Sequence, residues 1–509
     1  MGMGMGTARN TLPRPDWQLA GLTSPLAVAG AAVCIGLTVA LASGRLLGPG
    51  IAAVAGAAFV LLIIWCLAEP RTDRTLAVFA LYIGLLDAYL KLSTGIAEFA
   101  ILRDVLLWAI AAGALWRAAD RKENLSLPPL SGLVIAFALV VLAELFNPAS
   151  PGLLQGLAGV RQHIEFIPLF FLAYAFLRTE RQLKGLLLIF VVCASASGVA
   201  SYVQSSLTPA EFASWGPGYS DQILATGLYQ GAGRTALDSA GQAAVRPFGL
   251  GSDFGAGALA AVAGIPALLA LLILGSTRMR IGLTLLAPGI ILGVATSGGR
   301  GAIVAALTSL ATFLLLSAVS RRAIATTWLV TVMVAGGFVV YTALAPNLGT
   351  SERNKSLSPA QLANSYGDER LDSLRLAPLY AARFPLGAGV GQTGAAAFNA
   401  VLGDKRQSLN AETEWNYLIV ETGVLGLLIY LVLIGRVLAR AAFGLRKVAD
   451  ERIRLPLAAV AATLPPMLVL GFGSPTSPTL LWLAAGIFSF WMFGPASTTA
   501  VKSEMRNER

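Results

Sequence analysis

Glu412 and Glu414 close a long polar stretch and stand directly before an apolar run, 415–435, long enough to cross a bilayer. Carboxylates placed where water gives way to lipid suit proton transfer, because partial burial favours the protonated form until the group can act as a general base near neutral pH. The same face of the chain carries Arg161, Arg246, Arg300, Arg370, Arg375 and Arg383, with Lys405 and Arg406. A guanidinium stays charged and grips phosphate oxygens in pairs, so arginines gathered at one membrane mouth suit a diphosphate. Arg300 carries most weight. It sits in TSGGRGAIVAAL, between two apolar runs with almost no loop, where a charge costs up to about 2.5–3.5 kcal/mol. Two readings stand: a cavity-facing cation paired with an anion, or an anchor reaching out to the interface. The helix that follows opens with free N–H groups, a second anion-binding feature. Arg246 in VRPFGLGSDFGAG and Arg161 in GLAGVRQHIEF occupy similar entries into apolar runs. Arg161 can equally pair with Glu165 one turn on. His163 is a candidate secondary base or a structural residue, and Arg375 a secondary anion ligand.

Other chemistries find little support. One histidine, three cysteines (Cys34, Cys66 and Cys193) inside apolar runs and no CxxC give the expectation of no metal, no cofactor and no disulfide. GVGQTG at 389–394 matches a dinucleotide fingerprint literally, yet Phe384-Pro385 precedes it instead of a hydrophobic strand, so it reads as a tight turn. Asp87 and Lys91, with Arg103 and Asp104, place charges inside two neighbouring apolar runs. Pairing between these helices is the simple account, an ion path the alternative.

These residues need a scaffold, and composition names its solvent. Of 509 residues 56% are hydrophobic and 13% charged, with mean hydropathy +0.71, more apolar surface than a soluble chain can hide. The net charge of +10 reflects basic residues gathered on alternate loops, which makes those loops cytoplasmic and leaves no basic domain for nucleic acid. Apolar runs fall at roughly 26–43, 48–68, 75–93, 100–116, 130–146, 164–177, 184–203, 252–274, 281–297, 301–319, 325–345, 415–435, 456–472 and 478–494. The reading is an all-α polytopic protein of about fourteen transmembrane helices (roughly 12–14), both termini cytoplasmic. It comprises a tail (1–24), an N-terminal bundle (25–203), a first outer loop (204–250), central helices (251–345), a large outer loop (346–414), closing helices (415–494) and a second tail (495–509). The start, MGMGMGTARNTLPRPDW, is polar for too long to be a signal peptide and has Gly6 where myristoylation needs Ser or Thr. The outer loops carry short helical pieces, at Ser358-Pro359 and DERLDSL. Trp215, Tyr219 and Tyr229 in the first loop either present flat faces to sugars or pack it. The chain lacks internal repeats, which weighs against a transporter of lipid-linked sugars.

Four segments together resemble the superfamily of O-antigen ligases and Wzy polysaccharide polymerases. TSGGRGAIVAAL is similar to its Ser-Arg-Gly span start, and RPFGLGSDFGAGALAA to its arginine-then-glycine helix entry. ERLDSLRLAPLYAARFPLGAGVGQ resembles its large-loop passage, and ETEWNYLIVETGVLGLLIYLVL its closing helix with Glu-x-Gly-x-x-Gly. The likeness covers about 150–435. It implies a GT-C-like, metal-independent, inverting transferase in the bacterial inner membrane, which moves a glycan from undecaprenyl diphosphate to a sugar hydroxyl outside the membrane. Arginines would hold the diphosphate, here Arg300, Arg246, Arg370 and Arg161, and a loop base would activate the acceptor. Where the family carries a His-Asn pair this chain has Glu412-Thr413, so Glu412 or Glu414 takes the base role, and the departure leans towards a repeat-unit polymerase over a ligase. A chain-length regulator or flippase would be the partner.

Overall fold

The computed structural model describes residues 49–95, 99–122, 126–224, 235–237, 243–252, 255–297, 300–317, 375–393, 413–470 and 476–493. In chain order its helices are α1 (Pro49–Ala68), α2 (Thr72–Leu85), α3 (Asp87–Thr94), α4 (Phe99–Asp120), α5 (Ser131–Glu144), α6 (Leu153–Ile164), α7 (Ile167–Phe176), α8 (Glu180–Ser205), α9 (Pro209–Ala213) and α10 (Pro217–Ile223). After a short hairpin follow α11 (Ala256–Leu274), α12 (Thr277–Thr296), α13 (Arg300–Ser317), α14 (Ala377–Arg383), α15 (Glu414–Gly444), α16 (Glu451–Ala461), α17 (Leu464–Leu470) and α18 (Thr476–Trp491). The hairpin pairs β1 (Thr235–Leu237) with β2 (Ala243–Val245) antiparallel, a small departure from the all-helical expectation.

Helix starts follow local chemistry. Thr179 and Gln182 close a capping box before α8, and Thr208 and Glu211 do the same before α9. Their side chains take up N–H groups that no preceding turn can satisfy. The bundle interior is aromatic: Phe137, Phe166, Phe170, Phe313, Trp482 and Phe488 are fully buried. Helix α8 packs along α11 and α12, and α18 lies against α7. A second, smaller core of Phe212, Tyr219, Ile223 and Phe248 joins α9, α10 and the residues after β2 to Leu92 of α3. Within 204–250, Trp215 and Tyr219 are thus packing residues, the first edge-on and the second tilted against Phe212.

Among the described residues four helices are long and apolar enough to cross a membrane: Glu180–Ser205, Ala256–Leu274, Thr277–Thr296 and Glu414–Lys447. A fifth counts if α2 and α3, bent by 44° at Leu86, form one broken span. Several runs that composition reads as whole spans are interrupted. The run at 164–177 holds only the ten helical residues of α7, and that at 456–472 splits into α16 and α17. Composition reports the apolar stretch but not the backbone breaks within it. The runs at 26–43 and 325–345, and both tails, lie outside the described residues.

The most consequential break is in α15. Gly423 has φ 65° and ψ −172°, far from helical values. The rings of Trp415 and Tyr430 lie 6.3 Å apart, although fifteen residues of straight helix would separate them by about 22 Å. The helix therefore folds back on itself at Gly423, leaving a nine-residue half, 414–422, alongside the longer half that begins at Val424. That longer half, taken to Lys447, still measures about 36 Å, enough to cross a bilayer.

Gly423 is required on two counts. Its φ is in the left-handed region, and an added Cβ would lie 2.6 Å from the Leu386 carbonyl carbon and 2.7 Å from the Gly387 nitrogen. Gly423→Ala is expected to destabilise the protein by at least about 1–3 kcal/mol. Gly435→Ala, further along the same helix with open space around it, is expected to be neutral or stabilising by up to about 1 kcal/mol. Thermal unfolding of the full chain in detergent checks the pair, and equal melting temperatures would contradict the fold-back.

Candidate functional site

Breaking α15 frees backbone groups, and the glycine-rich segment after α14 takes them up. The Ala388 N–H donates to the Val420 carbonyl at 2.6 Å, and the Val424 N–H to the Pro385 carbonyl at 3.0 Å. Gly387, Gly389 and Gly391 all have positive φ, so the segment turns tightly, as GVGQTG leads one to expect. Gly391 presses on Gly159 of α6 so closely that a side chain at 159 would overlap its backbone. Asn147 and Gln155 donate to the Gly387 and Gly391 carbonyls at 3.2 and 2.7 Å. The segment is thereby sewn to the end of α5 and to α6 on one side and to α15 on the other.

Beneath it lies Glu421, with 0% exposure. One carboxylate oxygen accepts the backbone N–H and the hydroxyl of Thr393 at 2.7 and 2.8 Å. The other lies 2.7 Å from Nε2 of His163. The structure thus gives His163 a partner on α15, and Phe137 of α5 stands edge-on to its ring at 6.4 Å.

Two residues before His163, Arg161 pairs through its Nε with Asp104 and, at 3.7 Å, with Glu165. Arg103 is almost fully buried and reaches Asp87 at 3.2 Å and Glu165 at 2.9 Å. The charges on α3 and α4 are therefore paired between neighbouring helices, and the i,i+4 contact of Arg161 with Glu165 is present. Arg161 remains more than a third exposed on its side chain, whereas Asp104 and Glu165 are mostly covered.

Glu414 opens α15 behind Thr413, whose hydroxyl accepts the Asn416 N–H at 3.3 Å. Read in the sequence, it sits just before an apolar run. The fold-back instead turns it alongside the longer half of α15, into a narrow pocket with Trp415, Tyr430, Met467 and Leu481. Glu412 and Arg370, like Lys405, Arg406, Ser358-Pro359 and the whole of DERLDSL, lie outside the described residues.

Arg246 is half-buried, two residues before a tightly held turn. The fully buried Gln204 of α8 accepts the Phe248 and Gly249 N–H groups at 2.8 and 2.7 Å and donates to the Gly249 carbonyl at 2.9 Å. Ser197, also on α8, accepts the Leu250 N–H at 3.1 Å. At the same end of α8, Ser201 accepts the Thr296 hydroxyl at 2.9 Å, four residues before Arg300 opens α13. The turn after Arg246 and Thr296, four residues before Arg300, thus both contact the C-terminal end of α8. Arg375 is exposed, just before α14, and α14 itself packs Tyr380 on Ile419 and Val420. Among the described residues no cluster of three His, Cys, Asp or Glu side chains could hold a metal ion.

Residues 282–431 match the family model described as O-antigen ligase. That stretch is similar to the O-antigen ligase domain. The long apolar helices indicate a membrane protein, and together with the match they support a place in the O-antigen ligase superfamily. No curated protein matches the chain. The matched stretch contains Arg300, Arg370, Glu412, Glu414, the glycine segment and Glu421. It leaves out Arg161, His163, Gln204 and Arg246, which the fold brings against it from the N-terminal side or sets at the shared end of α8.

Sequence reasoning passed over Gln204, Thr393 and Glu421 as working residues. A glutamate inside an apolar run two residues before a glycine was the available sign for Glu421. Nothing local marks Gln204, whose partners lie more than forty residues away. Gln204→Leu is expected to leave two buried N–H groups without an acceptor, at about 1–3 kcal/mol each. Gln204→Glu keeps that acceptor and should lose less. Unfolding in detergent ranks the two, and a leucine variant as stable as the native protein would contradict the role given to Gln204.

Proposed function

We propose that the protein is a membrane glycosyltransferase that moves a glycan from an undecaprenyl-diphosphate donor to the hydroxyl of an acceptor sugar on the outer face of a bacterial inner membrane, extending surface polysaccharide repeat units. About fourteen crossings in a GT-C-like arrangement, with both termini cytoplasmic, would frame the site. The observation that carries the reading is the broken helix α15 capped by the glycine segment around buried Glu421, inside the stretch that matches the O-antigen ligase family. The family description favours one second reading, ligation of finished polymer onto a separate acceptor.

The reaction asks little beyond positioning and charge. Diphosphate is already a good leaving group. The acceptor hydroxyl gives its proton to Glu412 or Glu414, its oxygen attacks the anomeric carbon from the far side, and the bond to the diphosphate oxygen breaks with inversion. Arg300 and Arg246 take up the negative charge that grows on the leaving group, with Arg370 and Arg161 assisting. Each preorganised cationic donor of this kind contributes about 2.7–4 kcal/mol. No metal or cofactor is assigned a step.

Arg300→Ala is expected to fold normally but to cut chain extension about 10²–10³-fold, so that lipid-linked single repeats accumulate. Gel profiles of polysaccharide from cells carrying the variant check this, and normal chain lengths would refute it. Glu412→Gln and Glu414→Gln, compared in an elongation assay with a defined lipid-diphosphate oligosaccharide, separate the two candidate bases. The true base should lose about 10²–10⁴-fold and its neighbour far less. Product on a lone-repeat acceptor favours the polymerase, and product only on a different acceptor favours the ligase.

A further inference from the structure

The nine-residue half of α15 that carries Glu414 is too short to hold a helix by itself, so its placement depends on what grips it. Its far end is tied by backbone bonds to the glycine segment. Its flank is packed by Tyr380 on Ile419 and Val420 and held by one charged side chain, Glu421, whose carboxylate is wholly removed from solvent and surrounded by three hydrogen-bonding groups. Two of these are neutral groups of Thr393. The third is the imidazole of His163, the single histidine of the 509-residue chain.

Glu414 precedes Glu421 by seven residues, two helical turns, so both side chains leave the short half on nearly the same face. His163 therefore sits where both act on its charge, and Glu165, at the end of its own helix, is the third carboxylate near it. From α5 the Phe137 ring meets it edge-on. Arg161, on the same helix, is committed to Asp104 and Glu165.

We infer that His163 is a positioning residue for the transfer reaction: as an imidazolium it binds the Glu421 carboxylate and so sets the short half of α15, and with it Glu414, in the geometry that proton transfer requires. Loss of its proton leaves a hydrogen bond but removes the ion pair, and the short half loses its charged tether. The catalytic consequence rests on the glycosyl-transfer reading. The pairing itself does not.

A lone histidine makes the test direct. Full-length protein in detergent micelles, labelled with ¹⁵N-histidine, gives one set of ring signals beyond any purification tag, and their pH titration reports His163 alone. Glu421→Gln, which keeps the shape and a hydrogen-bonding group, is expected to lower the midpoint of that titration by about one pH unit or more. In the elongation assay, native activity should fall on the alkaline side at the midpoint seen by NMR. His163→Gln, which still donates to Glu421 but carries no charge, should hold the low alkaline rate at every pH and so show no alkaline limb. A merely structural histidine would lower the rate by one factor throughout and leave the limb in place. An unchanged midpoint in Glu421→Gln overturns the ion pair, and a His163→Gln pH profile that superimposes on the native one overturns the positioning role. Native protein inactive on any lipid-diphosphate oligosaccharide would instead overturn the transfer reading, with the NMR titration still deciding the pair.

Discussion

A carboxylate with no access to water has to be compensated, and the site end of this molecule is arranged around that constraint. Glu421 stands two residues before the point where α15 reverses direction. Its partners come from two separate stretches, Thr393 from the glycine segment and His163 from α6, and it stands on a third, α15. Leaving such a charge without partners costs several kcal/mol, far more than a satisfied one contributes. The interaction therefore acts less as glue than as a specification. Only a fold that brings all three stretches to the same point satisfies it. The reversal at Gly423 follows the same logic, since the Val420 carbonyl and the Val424 N–H give up helical partners and find replacements on the segment that Glu421 also holds.

A second charged cluster lies on the other side of α6. Asp87, Arg103, Asp104, Arg161 and Glu165 join α3, α4 and the end of α6 into one network. Because α6 contributes to both clusters, its position is fixed from two directions, and a shift of one turn would strand charges on both sides. Packing of apolar side chains against lipid is permissive about such shifts, as lipid tails discriminate poorly between one leucine and another. Buried ion pairs are not permissive, which is a physical reason for a membrane enzyme to carry them around the residues it must place.

How much of this was legible in the sequence depended on the range of the interaction involved. The long apolar helices α8, α11 and α12, the tight turn at GVGQTG, the pairing of Asp87 with Arg103 and the contact of Arg161 with Glu165 all rest on local periodicity or short spacing, and each is present. The fold-back of α15 was not legible. ETEWNYLIVETGVLGLLIYLVL reads as one continuous span, because a glycine in an apolar helix is usually tolerated. What makes Gly423 a reversal is the backbone of Pro385–Gly387, nearly forty residues earlier, occupying the space a Cβ would need. Likewise the role of Gln204 depends on Phe248 and Gly249, and that of His163 on a glutamate more than 250 residues away. Short helices such as α7 were over-read as spans for the complementary reason, since hydropathy counts apolar residues and is blind to the backbone break at Phe166.

The match to the O-antigen ligase family ends at Leu431 and begins only at Gly282. Taken as a unit, that stretch would contain a buried glutamate without its histidine, and its glycine segment would lack the Asn147 and Gln155 contacts that hold it. It would also lack Arg246 and the glutamine that fixes the turn beside it. The packed assembly around Glu421 and Arg246 is therefore larger than the matched stretch. Helices α6 and α8 complete it through single side chains, each presented to a backbone or a carboxylate far away in the chain. Such contacts tolerate wide variation in the surrounding residues provided the one donor or acceptor persists. The match covers the stretches that carry Arg300, Arg370, Glu412 and Glu414, while Arg161, His163, Gln204 and Arg246 fall outside its limits.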